Sequence, residues 1–202
     1  MDLTSILIED GYLKTKEIIE AFKIIKRKDF LPKNVKKLSE QNSALPIGYS
    51  QTISQPLTVA FMLELLSPQK GEKILDIGSG SGFTTAILSC IVGKKGKVIA
   101  LEIIPELLKV GEENVSKYNF VKKGIASFIL GDGKKGYKKE APFDKILCSA
   151  EAEFVPDSLK EQLKTGGKIV IPVKSSIILL EKKRNGNFDK KEFYGFSFVP
   201  LV

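Results

Sequence analysis

The chain contains no histidine and only two cysteines among its 202 residues. Histidine is the commonest general base and the commonest metal ligand, so its absence excludes Ser-His-Asp triads, Cys-His pairs and histidine-zinc sites. Cys90 and Cys148 lie inside apolar runs, which favours buried free thiols in a reducing compartment over a disulfide. No acidic cluster is typical of a magnesium site, so we expect no metal.

Arginine is also scarce, although the net charge is +8. Arg27 and Arg184 are the only arginines, and scattered groups of lysine supply the remaining positive charge. Bidentate contacts to phosphates and bases prefer arginine. The composition therefore favours a solvated lysine surface over a nucleic-acid interface, while the positive field remains compatible with acidic partners or substrates.

Long apolar runs are missing as well. No run approaches the ~18 residues that span a bilayer. The first residues, MDLTSILIEDGYLK, lack the basic start and apolar stretch of a signal peptide. We therefore expect no membrane association, and the cytoplasm is the default location.

Alternating apolar patterns predict a series of helices and strands. Helices are predicted at 15–28, with Thr15 as N-cap, and at 56–66, 83–92, 105–118 and 156–163. Strands are predicted at 73–77, 97–101, 125–130, 143–148, 168–173, 177–182 and 193–198, with a turn at 165–167 and a hairpin at Asn185-Gly186. Residues 33–49 are expected to be irregular. This order predicts an α/β fold with a doubly wound, mostly parallel seven-stranded sheet, an N-terminal helical segment and a C-terminal antiparallel hairpin.

The stretch GEKILDIGSGSGFTTAILSCIVGKKGKVIALE at 71–102 is the most informative. The predicted strand at 73–77 contains Asp76 near its end, and Gly78, Gly80 and Gly82 follow it. A predicted helix comes next, and the strand after that helix ends at the acid Glu102. This is the layout of a nucleotide-binding βαβ unit. The glycines let backbone N–H groups approach a ligand, and the acid can accept hydrogen bonds from both hydroxyls of a ribose.

The spacing of the glycines restricts the class of nucleotide that the turn is expected to bind. It is G-x-G-x-G, and Phe83 stands where a dinucleotide fingerprint has its third glycine. The turn, opened by Asp76, resembles the first motif of S-adenosylmethionine-dependent methyltransferases with a Rossmann-like sheet. This resemblance implies S-adenosylmethionine as cofactor and S-adenosylhomocysteine as its product. A tight turn without any ligand is the alternative.

Further stretches resemble protein-L-isoaspartate (D-aspartate) O-methyltransferases from about residue 30 to residue 202. They are LPIGYSQTISQP at 45–56, GDG at 131–133, APFDKI at 141–146, QLKTGGKIVIPV at 162–173 and FVPL at 198–201. The resemblance implies a repair enzyme that methylates the α-carboxylate of isoaspartyl residues in damaged proteins and peptides. The ester then forms a succinimide, and part of it returns to aspartate. We expect one domain, 1–202, with an N-terminal helical and substrate-loop segment at 1–55 and a cofactor-binding sheet at 56–202.

The same resemblance implies the site residues. Ser54 is the catalytic candidate, because its hydroxyl could orient the substrate carboxylate; the alternative is that it caps the helix beginning near Pro56. Within the cofactor set, Glu102 is expected to hold the ribose, and Asp132 to accept from the adenine amino group. The full set of cofactor candidates is Gln51, Thr52, Ile53, Asp76, Gly78, Ser79, Gly80, Glu102, Ile103, Asp132 and Gly133.

Two segments depart from the family pattern. Glu40 and Asn42 stand where the family often has Tyr and Asp, and the loop after the fourth strand carries Glu151 and Glu153. A like charge within ~4 Å would oppose a carboxylate substrate by about 1 kcal/mol in water. The alternatives left open are acids that point to solvent, a different substrate, an RNA-directed methyltransferase, or a divergent relative that binds cofactor or peptide without catalysis.

Overall fold

The computed structural model describes residues 2–202 as helices on both sides of a large sheet. The helices are α1 (Leu3–Glu9), α2 (Lys16–Ile24), α3 (Pro56–Leu66), α4 (Phe83–Val92), α5 (Pro105–Ser116) and α6 (Asp157–Glu161). The strands are β1 (Leu45–Gly48), β2 (Gln51–Ile53), β3 (Lys73–Ile77), β4 (Lys97–Glu102), β5 (Ala126–Leu130), β6 (Phe143–Cys148), β7 (Leu163–Val173), β8 (Ser176–Lys182) and β9 (Phe188–Tyr194).

The large sheet has seven strands in the order β5-β4-β3-β6-β7-β8-β9. Neighbours from β5 to β7 are parallel, whereas β8 and β9 are antiparallel. The predicted fold class is therefore confirmed. The chain leaves β3 toward β4 on one side and leaves β6 toward β7 on the other, so a crevice opens at the carboxyl ends of β3 and β6. This is where open α/β sheets bind ligands.

The residues of β3 explain why the sheet is covered on both faces. Successive side chains of a strand point to opposite faces. Ile74 accordingly lies in one apolar cluster with Leu63 of α3 and Ile87 of α4, all of them fully buried. Leu75 lies in the other cluster with Leu159 of α6. A strand buried on both faces reads as a continuous apolar run, which is why this region was predictable from sequence.

The N-terminal segment differs from the prediction. Helix α1 was not predicted, and α2 ends at Ile24 because Ile25 is extended; a separate 3₁₀ turn follows at Arg27–Phe30. The stretch 33–49, expected to be irregular, contains β1, which pairs with β2 as an antiparallel ribbon with Leu45 opposite Ile53. The ribbon escaped prediction because each strand is only a few residues long and β1 contains a proline.

The C-terminal part needs two further corrections. The glycines predicted as a turn at 165–167 lie inside β7, where they form an irregularity in its pairing with β6. The last strand is 188–194 rather than 193–198, because Phe196 leaves the sheet and stacks on Phe61 of α3 with ring centroids 5.3 Å apart. The hairpin at Asn185-Gly186 is confirmed, since it joins β8 to β9.

No helix in residues 2–202 has the length and apolar character needed to cross a bilayer.

Candidate functional site

A cleft of about 790 Å³, a volume that includes the solvent at its mouth, opens at the carboxyl ends of β3, β4 and β6. Its walls come from the glycine turn after β3, the end of β4, the loop after β2 and the segment 199–202. The structure brings most of the predicted site residues together here. Those that line the cleft are Gln51, Thr52, Ile53, Ser54, Gly78, Ser79, Gly80, Glu102, Ile103 and Gly133.

Asp76 and Asp132 do not line the cleft. Asp76 is fully buried behind the glycine turn, where its Oδ2 accepts a 2.6 Å hydrogen bond from the Thr85 hydroxyl. Burial raises the pKa of Asp76 to about 7; the Thr85 hydrogen bond opposes this rise and the charge of Glu102 adds to it. Asp132 instead caps the 3₁₀ turn Gly133–Lys135, accepting from the backbone N–H of Lys134 at 2.9 Å.

Glu102 holds the glycine turn and the following loop in place. One carboxylate oxygen accepts the N–H of Gly80 at 2.8 Å, and the other accepts the N–H groups of Ile103 and Ile104 at 2.9 and 3.0 Å. The side chain is buried, so these charge-assisted bonds form away from bulk water. The acid is thereby presented to the cleft in a defined orientation.

The third glycine of the turn has a packing role. Gly82 has a φ of +86°, and a Cβ there would lie 2.8 Å from the carbonyl oxygen of Gly111 in α5. Gly82 therefore allows α4 to start tightly against α5. Gly78 and Gly80, by contrast, line the cleft with their backbone.

Ser79 offers a test of whether the cleft suits a polar ligand. Its hydroxyl is buried and has no hydrogen-bond partner within the part of the chain that the structure describes. Burying a hydroxyl without a partner is unfavourable unless a ligand supplies one. The unpartnered Ser79 hydroxyl, the Glu102 carboxylate and the backbone of the glycine turn together fit a ligand with several polar groups.

Ser54 lies at the junction of two cavities. It is half-buried and lines both the cleft and a second cavity of about 940 Å³. Thr52, Ser149 and Val199 also line both. The alternative that Ser54 caps α3 is wrong. The side-chain oxygen of Asn42, and not that of Ser54, accepts a hydrogen bond from the first turn of α3, from the N–H of Leu57 at 3.0 Å.

Sequence reasoning missed the contribution of the last residues. Val199, Pro200, Leu201 and Val202 line the cleft, although FVPL was noted only as part of a family pattern. They reach it by strand-like pairing, in which Glu151 donates its N–H to Val199 at 2.8 Å and accepts from Leu201 at 2.7 Å. This long-range pairing has no local sequence signal.

The two unusual acids of the loop after β6 point away from the cleft. The Glu151 carboxylate accepts the N–H of Ser175 at 3.2 Å. Glu153 is exposed and lines a separate surface groove with Lys160 and Lys190. Neither acid lines the cleft or the second cavity, so neither is in contact with a carboxylate bound there.

The cysteines are free thiols, and Cys90 is half-buried rather than buried as expected. Burial raises the pKa of the Cys148 thiol to about 12. A thiol protonated at neutral pH is a poor nucleophile. Residues 2–202 contain no group of three or more Cys, Asp or Glu side chains arranged to hold a metal ion.

A family model described as protein-L-isoaspartate(D-aspartate) O-methyltransferase matches residues 1–202. The chain belongs to this family. A protein-L-isoaspartate O-methyltransferase from Methanopyrus kandleri is 41% identical over 196 residues, covering 95% of this chain and 86% of that protein. The enzyme of the same name from Thermosipho melanesiensis is 40% identical over 194 residues, covering 95% of this chain and 96% of that protein.

Solved structures of this isoaspartate methyltransferase family share the fold. A Plasmodium falciparum member, crystallised with S-adenosyl-L-homocysteine, superposes with a TM-score of 0.85 at 22% identity and covers 99% of this chain and 96% of its own. A second protein-L-isoaspartate O-methyltransferase structure superposes with a TM-score of 0.82 at 28% identity, over 96% of this chain and 65% of that one.

Proposed function

We propose that this isoaspartate methyltransferase family member methylates the α-carboxylate of isoaspartyl residues in damaged proteins, using S-adenosylmethionine. The observation that carries the proposal is the position of Ser54 at the junction of two cavities. The cleft beside Glu102 takes the cofactor, and the second cavity takes the isoaspartyl residue. The two ligands then meet at Ser54.

The residues of the cleft fit the cofactor. Glu102 would accept hydrogen bonds from its ribose, the unpartnered Ser79 hydroxyl would bind one of its polar groups, and the backbone of Gly78 and Gly80 would hold its methionine part. Ile103 and Gly133 would hold the nucleoside end. When bound, the cofactor supplies a methyl group on a positively charged sulfur.

Asp76 and Asp132 have indirect roles in this proposal. Asp76 stands behind the turn, where its hydrogen bond from the Thr85 hydroxyl joins the end of β3 to the first turn of α4. Asp132 fixes the 3₁₀ turn that begins with Gly133. Gln51, Thr52 and Ile53 form the wall between cofactor and solvent.

The chain needs only to orient the carboxylate and exclude water. A carboxylate has an ordinary pKa near ~4, so it is already ionised at pH 7 and needs no general base. This accounts for a methyl-transfer site in a chain without histidine. The Ser54 hydroxyl donates to one carboxylate oxygen and leaves the other free to attack. Well-oriented reactants can gain up to about 7–11 kcal/mol from positioning.

We propose that the protein acts in the cytoplasm, where it encounters the damaged proteins that are its partners. The free thiols Cys90 and Cys148 support a reducing compartment. We also propose that residues 1–202 act as one domain, with 1–55 carrying the substrate loop and 56–202 the cofactor sheet.

The test is methyl transfer from labelled S-adenosylmethionine to an isoaspartyl peptide and to the same peptide with ordinary aspartate. We expect a base-labile ester on the isoaspartyl peptide alone. Transfer to tRNA instead would contradict the proposal. Calorimetric binding of S-adenosylhomocysteine without any methyl transfer would support the non-catalytic alternative.

A further inference from the structure

Arg27 is buried, and its guanidinium binds four backbone carbonyl groups. Nη1 donates to Ser39 at 3.2 Å and to Gln41 at 3.0 Å. Nη2 donates to Ser43 at 2.7 Å and to Ser54 at 3.3 Å. Every carbonyl belongs to the segment that leads into or out of the β1–β2 ribbon.

The two hydrogen bonds of Nη2 lie at the base of that ribbon, where the chain enters β1 and leaves β2. Ser43 precedes β1 by two residues, and Ser54 directly follows β2. One nitrogen atom therefore joins the two chain ends of the ribbon. The ribbon carries Gln51, Thr52 and Ile53 into the cleft, so its position decides the shape of the wall at the cofactor site.

The 3₁₀ turn that carries Arg27 is anchored separately. Phe30 packs on Phe83 of α4 with ring centroids 5.4 Å apart and stacks on Tyr118 at 5.9 Å. The Tyr118 hydroxyl donates to Asp29 at 2.7 Å and accepts the N–H of Lys26 at 2.9 Å. The guanidinium thus connects a turn fixed on α4 and the residues after α5 to a loop whose ribbon residues Leu45, Ile47 and Ile53 are buried in the same core.

We propose that Arg27 is a positioning residue, which sets the place of Ser54 by clamping the base of the β1–β2 ribbon. This inference rests on the proposed methyl transfer at Ser54. The burial of Arg27 also departs from the solvated basic surface that the composition favoured, although the neighbouring Lys26 and Lys28 are exposed. A shift of about 1 Å at the reacting groups can cost a hundredfold in rate, so a loosened clamp should lower turnover strongly.

Lysine cannot replace this arginine. The four carbonyl oxygens are divided between two nitrogen atoms of a planar fork, and each nitrogen uses both of its N–H groups. An ammonium group offers three N–H groups around a single point, so it would lose at least one bond and the link between the two ends of the ribbon.

The experiment compares Arg27→Lys with the wild-type protein, using the isoaspartyl peptide. We expect kcat to fall about tenfold or more. The affinity for S-adenosylhomocysteine should fall less than kcat, because the ribbon wall shifts but Glu102, Ser79 and the glycine turn are not touched by the guanidinium. Relative to the wild type, amide hydrogen exchange should become faster in residues 43–55 and stay unchanged in the seven-stranded sheet. Arg184→Lys is the matched control, because Arg184 is exposed in the β8–β9 hairpin, and it should change none of these values.

The outcomes separate this inference from the proposed function. A wild-type protein that does not methylate the peptide refutes the function. A wild-type protein that does so, with an Arg27→Lys variant within twofold of its kcat, refutes the inference alone. Three other outcomes would also overturn the inference: a uniform rise in hydrogen exchange, an equal loss of cofactor affinity and turnover, or an unfolded variant. Each would mean that Arg27 supports the whole fold, and that the aromatic contacts of Phe30 do not hold it without the guanidinium.

Discussion

Replacing Asp76 with asparagine should make the stability of this protein less dependent on pH between about 5 and 7. Asp76 is fully buried beneath the glycine turn, and only one of its carboxylate oxygens has a hydrogen-bond partner in the described chain. Burial therefore disfavours its charged form and raises its pKa from 3.8 to about 7.

The sign of the effect follows from proton binding. Between the two pKa values, folded Asp76 holds a proton and unfolded Asp76 does not, so the free energy of unfolding falls as the pH rises. A tenfold difference in proton affinity between the folded and unfolded states corresponds to about 1.36 kcal/mol. The total loss is therefore up to roughly 4 kcal/mol, of which about 2 kcal/mol falls between pH 5 and 7.

Other shifted groups lie outside this window. The hydrogen bond from Lys97 is the largest cause lowering the pKa of Glu140, so that group loses its contribution only at more acidic pH. Burial raises the pKa of Cys148 to about 12, far above the window. The range from pH 5 to 7 therefore isolates Asp76 among the groups with shifted pKa values.

The assay is urea unfolding at several pH values for wild type, Asp76→Asn and the control Asp157→Asn, which removes an exposed acid on α6. We expect the wild type and the control to lose stability as the pH rises, and Asp76→Asn to show a flatter profile. Equal slopes for wild type and Asp76→Asn would refute the reasoning, because asparagine cannot titrate.

Two more predictions concern the cleft, and a third concerns the packing of α4 behind it. Ser54→Ala should lower kcat by about tenfold to a hundredfold, the value of one hydrogen bond to a charged group, and leave S-adenosylhomocysteine affinity within a few fold; the reverse pattern in calorimetry and kinetics would contradict its role. Glu102→Gln should weaken S-adenosylhomocysteine binding about tenfold or more, since an amide offers one acceptor oxygen where the carboxylate has two; unchanged calorimetric affinity would place the ribose elsewhere. Gly82→Ala should lower the urea-derived free energy of unfolding by about 1–3 kcal/mol more than Gly124→Ala, because both glycines have positive φ but only Gly82 lacks room for a Cβ; equal losses would show that backbone strain alone matters.

The glycine turn shows where sequence reasoning succeeded. The strand, the turn and the following helix are adjacent in the chain, and Glu102 follows within one βαβ unit. Local spacing therefore predicted the crevice and three of the residues that line it, Gly78, Gly80 and Glu102. The resemblance to the family placed Ser54 in the cleft, where the structure has it. The roles of these residues stay predictions until they are measured.

The ribbon and its clamp show where sequence reasoning failed. Nothing near Arg27 predicts that its guanidinium reaches four carbonyl groups between 12 and 27 residues away. The orientation of Glu151 away from the cleft likewise depends on pairing with Val199 and Leu201 at the end of the chain.

The amino-acid sequence alone determined the succession of strands in the large sheet, the sheet class and the chemistry excluded by a lack of histidine, because these depend on local periodicity and composition. Only the tertiary structure decided that Asp76 lies behind the turn, that Asn42 rather than Ser54 caps α3, and that Arg27 is buried. These features depend on hydrogen bonds and burial between segments distant in the chain, and irregular backbone carries no periodic signal from which such contacts can be read.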